Sequence, residues 1–293
     1  MQNFAQLLVA GLSTGAIYAS MALALVLIYQ ASGLVNFAQG EMAMFSTFIA
    51  WSLMNAGIPF WGALPIALVV AFVGGMTIER VLIRPVERAP VLAIVIVTLA
   101  IFIALNNIAG WIWGFMVKAF PSPFPSNPWR VAGVAISKQS VGILGVSLVV
   151  LLILWAFFRF TKLGLAMRGA AINREAARLM GIRVGWMLAL GWGLAALVGA
   201  TAGVLVAPVV FLSPNMMQGL LLFAFASAVL GGMDSPGGAV AGGLLVGVGQ
   251  AMIGNYVGFI GSDLSVTVAL AVIVVVLLVK PAGLFGRAAV ERV

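Results

Sequence analysis

Long apolar runs recur along the whole 293-residue chain, separated by short breaks that contain polar residues, Gly or Pro. A run of about 20 apolar residues is long enough to cross the hydrocarbon core of a bilayer as a helix. Hydrophobic residues make up 63% of the chain and charged residues 8%, and a soluble domain of this composition would expose too much apolar surface. The sequence therefore predicts an all-α, polytopic helical membrane protein, with residues 1–293 forming a single transmembrane domain in the lipid bilayer.

The apolar runs predict nine membrane spans. These cover about residues 4–29, 34–55, 59–82, 90–113, 141–160, 186–208, 215–233, 238–258 and 263–280. Eight spans with a re-entrant segment are the alternative, because the runs near residues 34 and 215 contain polar residues and start close to Gly or Pro. The sequence leaves both counts open.

The basic residues predict the orientation, because Lys and Arg near span ends favour the cytoplasmic side. Twelve of the fifteen basic residues fall in three clusters, Arg80/Arg84/Arg88, the segment 159–183 and Lys280/Arg287/Arg292. Nine spans place all three clusters in the cytoplasm, with the C-terminus inside and the N-terminus outside, whereas eight spans move the N-terminus inside. Basic residues placed in this way act as orientation signals, so the net charge of +8 does not indicate a nucleic-acid partner.

Several kinds of chemistry are excluded by residues that the sequence lacks. The chain has no Cys and no His, which removes most metal sites and most arrangements for nucleophilic or general-base catalysis. The phosphate-binding pattern G-x-x-x-x-G-K-[ST] is absent as well. We therefore do not expect an enzyme or a bound cofactor, and any ATP used must be hydrolysed by another chain.

A Pro-rich segment interrupts the chain between the fourth and fifth predicted spans. Residues 121–129 contain four prolines, each of which removes a backbone donor and favours extended geometry in the residue before it. The sequence predicts an external loop over about residues 114–140. It is either a plain connector or a contact for an external binding protein.

A few polar residues lie within the predicted spans and are candidates for a translocation path or gate. They are Asn36, Gln39, Glu41, Asn106 and Asn107. Ionisable groups at membrane depth are costly and usually face a cavity or a partner. Glu41, the only acid in the first 78 residues, is either a path residue or a structural carboxyl near the cytoplasmic interface.

The segment of about residues 161–185 is the longest charged break and is predicted to be a cytoplasmic loop. Within it the sequence predicts a short helix from Ile172 to Met180, with Asn173 near its start, Glu175 in the first turn and Gly181 as its stop. Four apolar residues would share one face of this helix, namely Ile172, Ala176, Leu179 and Met180. Either a partner protein, the lipid surface or the chain's own base must cover that face.

Glycines spaced four residues apart recur within the predicted spans. They include the pairs Gly11/Gly15, Gly199/Gly203 and Gly243/Gly247. Small residues at this spacing allow helix backbones to approach closely in lipid. We expect them to mark tight packing within the subunit or against a second subunit.

Glu175-Ala176-Ala177-x-x-x-Gly181 resembles the cytoplasmic coupling motif of ATP-binding-cassette importer permeases. Four further stretches narrow the resemblance to the branched-chain amino acid permease family, and in length the chain is similar to the shorter of its two permease subunits. The four stretches are residues 34–41 (LVNFAQGE), 84–88 (RPVER), 230–239 (LGGMDSPGGA) and 280–286 (KPAGLFG). Two features depart from the family pattern: the Leu-Pro half of the coupling motif does not follow Gly181, and Gln39 stands where the family often has His.

The resemblance implies a permease of a bacterial inner membrane. Its partners would be a second permease subunit, two ATPase subunits and an external substrate-binding protein, and residues 172–181, including Ala177, would dock on an ATPase subunit. ATP-driven closure of the ATPases would then alternate access to a path between the two permeases. The rival interpretation is a proton- or sodium-coupled secondary transporter with Glu41 as the titrating group. A passive channel is the third interpretation. The sequence does not show whether the transported solute is a branched-chain amino acid, another amino acid, an amide or urea.

Overall fold

The computed structural model describes residues 2–87, 89–125, 127–131, 134–256, 265–280 and 282–286. Within these ranges the helices are α1 (Gln2–Ser32), α2 (Gln39–Asn55), α3 (Phe60–Ile78), α4 (Val91–Trp113), α5 (Lys138–Phe160), α6 (Lys162–Ile172), α7 (Arg174–Leu179), α8 (Val184–Val210), α9 (Met216–Gly231), α10 (Pro236–Tyr256) and α11 (Ser265–Val279). A π-helical turn (Glu79–Ile83) and a 3₁₀ turn (Arg84–Val86) extend α3. Arg88, Arg287 and Arg292 of the predicted basic clusters lie outside the described residues.

Each of the nine predicted apolar segments contains a helix in the part of the chain that the structure describes. Among the described residues, six helical segments are long and apolar enough to cross a membrane, and α9 is a shorter apolar helix. The prediction of a multi-pass helical membrane protein is therefore confirmed. The exact number of spans, eight or nine, stays a prediction.

Two local predictions differ from the structure. The predicted external loop contains a short antiparallel hairpin, β1 (Trp129–Val131) with β2 (Val134–Ile136), in which Trp129 faces Ile136. The all-α assignment missed this hairpin. The predicted coupling loop holds two helices, α6 and α7, rather than one.

Two compact units make up the described chain, and the first consists of Met1–Val26, Pro121–Leu148 and Gln218–Val293. Its helices α1 and α10 pack through glycines, as the spacing of these residues predicts. A Cβ atom added to Gly247 would lie 2.3 Å from the Cα of Gly15. Next to this contact the ring of Tyr18 stacks on that of Phe223, with ring centroids 5.0 Å apart.

The second unit consists of Leu27–Phe120 and Val149–Met217. Helix α3 packs closely on α8, because Gly75 brings its backbone against the main chain of Trp192. Helix α2 lies on another part of α8, where a Cβ on Gly203 would meet the hydroxyl of Thr47 at 2.5 Å. Trp113 joins α4 to α2 by stacking on Phe48 at a centroid distance of 4.9 Å. These contacts hold the candidate site residues of the second unit in place.

Candidate functional site

Helix α7 has the end signals that its sequence predicts. The side-chain oxygen of Asn173 accepts a hydrogen bond from the backbone N–H of Ala176 at 2.9 Å, which caps the start of the helix. Glu175 lies in the first turn, where its charge favours the helix dipole. Gly181 follows the end of the helix with a φ of 79°, a left-handed conformation that Gly adopts without strain. Ile172 belongs to α6 and not to the short helix, which corrects the predicted start.

The apolar residues around α7 point in two directions. Ala177 is 1% exposed and packs in a cluster with Val184 and Leu188 at the start of α8. The four residues predicted to share a face are all exposed, and Leu179 reaches 90%. We call Ile172, Ala176, Leu179 and Met180 the α7 apolar surface. Within the described residues the chain does not cover this surface itself.

The start of α2 lies deep within the second unit, not at its end. The amide nitrogen of Gln39 donates a hydrogen bond to the backbone carbonyl of Ala195 at 3.0 Å. Ala195 is eleven residues into α8, about 16 Å along the helix axis. Residues 33–38 before α2 are not helical, and backbone of this kind at membrane depth requires burial in protein or a cavity. Asn36 and Ala38 are accordingly buried, at 0% exposure.

Asn36 and Gln39 form one hydrogen-bonded group at this helix start. The side-chain nitrogen of Asn36 donates to the side-chain oxygen of Gln39 at 3.3 Å. The side-chain oxygen of Asn36 accepts from the backbone N–H of Ala38 at 3.0 Å. These bonds satisfy polar atoms in the break between α1 and α2, so they stabilise the break.

Glu41 and Asn106 form a second group, which joins α2 to α4. Glu41 is 1% exposed, and its carboxyl accepts a hydrogen bond from the side-chain nitrogen of Asn106 at 3.4 Å. The same nitrogen lies 3.0 Å from the carbonyl of Pro214 and 3.2 Å from the side-chain oxygen of Asn215. Among the described residues no Lys or Arg pairs with Glu41. The amide group of Asn106 therefore contacts both the buried carboxyl of Glu41 and the Pro214–Asn215 segment.

Glu41 contacts α4 within that helix and not at its end. Its partner Asn106 lies seven residues before the end of α4 at Trp113, about 10 Å along the helix axis. Asn107 is not part of the group, since it is exposed and its side chain donates to the carbonyl of Ile103 in its own helix. The structure thus brings Glu41 and Asn106 together and leaves Asn107 apart.

Sequence reasoning missed several residues that contact the candidate sites. Pro214 and Asn215 stand between α8 and α9, and the signal available was a Pro-Asn pair between two apolar runs. Arg174, which starts α7, forms an ion pair with Glu87, with Nη1 and Oε1 3.2 Å apart. No local signal links two charges that are 87 positions apart in the sequence.

Comparison with known proteins decides the family. The family model described as "Branched-chain amino acid transport system / permease component" matches residues 7–278. The chain belongs to this permease family. It is 32% identical to the high-affinity branched-chain amino acid transport system permease protein LivH of Escherichia coli, covering 99% of this chain and 98% of the relative. It is 31% identical to the corresponding permease protein BraD of Pseudomonas aeruginosa, with the same coverage.

A solved structure shares the fold of this permease. PsaBC from Streptococcus pneumoniae, in complex with Fab, aligns with a TM-score of 0.50 over 93% of this chain and 91% of that chain. The sequences are 16% identical, so the similarity concerns the fold alone. The family resemblance inferred from the five sequence motifs is confirmed.

Proposed function

We propose that this permease is the shorter of two membrane subunits in an ATP-driven importer of branched-chain amino acids. The observation that carries the proposal is the match to branched-chain amino acid permeases along nearly the whole chain. The protein crosses the inner membrane of a bacterium several times, with its C-terminus in the cytoplasm. Its partners are a second permease subunit, two ATPase subunits that bind and hydrolyse ATP, and an external substrate-binding protein.

The α7 apolar surface is the docking site for one ATPase subunit. Leu179 and Met180 are 90% and 71% exposed, whereas Ala177 fixes the opposite side of α7 against α8. A short helix that is held firmly on one side and apolar on the other suits helix-in-groove recognition, in which an apolar face fills a partner's groove. Glu175 lies in the first turn of this helix, and Gly181 follows its end.

The group around Glu41 and Asn106 contributes to the translocation path. A helix that starts at membrane depth after a non-helical segment is a frequent feature of transporter sites. Asn106 is half-buried and contacts both the buried carboxyl of Glu41 and the Pro214–Asn215 segment. Asn36 and Gln39 support the start of α2, and Asn107 lies on an exposed side of α4. The path binds its solute weakly, so the external binding protein supplies most of the selectivity.

The second candidate function is a proton- or sodium-coupled secondary transporter. The observation that favours it is Glu41, a carboxyl at 1% exposure in a membrane helix, since such residues often serve in proton or ion pathways. Against it, the described residues show one hydrogen-bonding partner for this carboxyl, an amide, and no neighbouring acid that would relay a proton. The two candidates differ in their energy source.

Reconstitution in vesicles separates the two candidates. We expect the purified chain alone to hydrolyse no ATP, and the complete complex to import leucine, isoleucine or valine only with ATP and the binding protein. A proton or sodium gradient without ATP should drive no uptake. Gradient-driven uptake by this chain alone would refute the importer and support the secondary transporter.

The substitution Glu41→Gln tests the same question within the complex. The amide keeps the shape and one acceptor oxygen for Asn106 but does not titrate. The loss of charge assistance in one hydrogen bond is about 1 kcal/mol, so we expect uptake to fall by about fivefold at most. Asn107→Ser, at the exposed neighbour of Asn106, is the control and should leave uptake unchanged. Complete loss in Glu41→Gln, with normal membrane insertion, would favour a titrating role.

A further inference from the structure

The end of α3 contacts both the docking helix α7 and the start of α8. Over Glu79–Val86 the backbone changes from α-helical to π-helical and then to 3₁₀ geometry. Single π-helical turns are rare and occur frequently at functional sites. We call residues 79–87 the α3 extension. Charged side chains of the α3 extension contact α7 and α8.

Arg84 fixes the α3 extension to the first turn of α8. Its guanidinium lies 3.4 Å from both carboxylate oxygens of Glu79 and 2.5 Å from the carbonyl of Gly185. A Cβ at position 185 would lie 2.8 Å from Nη2 of Arg84, so Gly makes room for the guanidinium. Arg80 adds a cation–π contact to Trp186, with its guanidinium carbon 5.5 Å from the ring centroid. This side of the extension is therefore well anchored.

The contact to α7 is of a different kind. Glu87 and Arg174 meet through one ion pair at 3.2 Å, and their side chains are 29% and 35% exposed. A half-exposed ion pair adds little to stability, and α7 is already held on α8 by Ala177. The pair is nevertheless a direct link between α3, a membrane-spanning helix, and the helix that docks the ATPase.

We propose that Glu87 and Arg174 are positioning residues that transmit movement of α7 to α3 during the ATPase cycle. This inference rests on the proposed function, because the movement of α7 comes from the docked ATPase. When α7 shifts, the ion pair transmits the displacement to the α3 extension. The π-helical turn of the extension then deforms, while the contacts of Arg84 keep the extension attached to α8. The link couples ATP hydrolysis to opening of the path and contributes nothing to docking itself.

Charge reversal in the reconstituted complex tests the link. Glu87→Arg and Arg174→Glu each place like charges together, whereas the double variant restores an ion pair with the opposite orientation. The measured quantity is the number of solute molecules imported per ATP hydrolysed, with the amount of bound ATPase determined in each sample. Mutations along coupling networks change the coupling free energy by about 0.5–2 kcal/mol, which corresponds to factors of roughly 2 to 30. We expect each single variant to lower the import ratio by such a factor, and the double variant to return it to within about twofold of wild type.

Arg178→Glu is the matched control, since it makes the same charge change on the same helix at an exposed residue without an ion pair among the described residues. Its import ratio should equal that of the wild type. The proposed link would be overturned if the single variants had the import ratio of the wild type. It would also be overturned if the double variant had an import ratio as low as that of the worse single variant. A wild-type chain that binds no ATPase would refute the proposed function itself, and the ratio measured on complexes that do form keeps the two failures apart.

Discussion

Leu179→Glu is expected to abolish binding of the ATPase subunits at ordinary protein concentrations. Leu179 is 90% exposed in the isolated chain, so the substitution leaves the fold of the permease intact. In the complex it places a carboxylate in an apolar groove, and an unpaired buried charge costs about 3–5 kcal/mol. This corresponds to a loss of affinity of at least about a hundredfold. Pull-down of the ATPase subunits from membranes with equal amounts of each variant measures the effect.

A graded series distinguishes docking through the α7 apolar surface from a general effect of charge. Leu179→Ala removes only apolar contact area, worth about 1.5–3 kcal/mol for a fully buried Leu, so its loss should be intermediate. Arg178→Ala removes an exposed charge on the same helix and should cost at most about 1 kcal/mol. If Leu179→Glu binds the ATPase as well as Arg178→Ala does, the docking surface lies elsewhere on the chain.

Much of the helical architecture could be predicted because apolar length is a local property of the sequence. The predicted first span, residues 4–29, lies within α1 (Gln2–Ser32), and the fourth, 90–113, nearly equals α4 (Val91–Trp113). The cap at Asn173 and the stop at Gly181 could also be predicted, since both depend on neighbouring residues only. The start of α6 was missed, although Thr161 caps it by accepting from the backbone N–H of Gly164 at 2.9 Å.

The candidate path could be predicted only in part, because apolar length does not reveal which side chains meet. Glu41 and Asn106 were both singled out by polarity, but their contact depends on how α2 and α4 are rotated and shifted against each other. The depth of Gln39 beside Ala195 likewise follows from the packing of α2 on α8. Hydropathy treats residues 34–55 as one apolar run, and it therefore hides the late start of α2 at Gln39.

The same limit applies to the α3 extension. RPVER was identified as a family motif, but the sequence alone assigns no partner to Arg84 or Glu87. Their contacts, Gly185 and Arg174, come from elements about a hundred residues further along the chain. Such contacts arise only once α3 and α8 pack together, and the backbone of α3 meets α8 closely at Gly75.

Gly75→Val is expected to prevent stable folding of the second unit. A Cβ at this position would lie 2.6 Å from the backbone oxygen of Trp192 and 2.7 Å from the Cβ of Ala196. Neither atom is the end of a flexible side chain, so α3 and α8 must separate. Overpacking of this kind typically costs 1–3 kcal/mol and sometimes more, and we expect at least about 3 kcal/mol here because backbone atoms collide. The measurement is the thermal unfolding midpoint and the monodisperse yield of the detergent-purified chain.

Gly74→Val provides the matched control on the adjacent residue. A Cβ at Gly74 meets no atom within 4 Å, and Val differs little from Gly in helix propensity, so stability should stay close to that of the wild type. Both variants carry the same change of side chain in the same turn of α3, and they differ only in whether it faces α8. Equal unfolding midpoints for the two variants would show that α3 and α8 do not pack through Gly75, and the contacts of the α3 extension with α8 would then lose their structural basis.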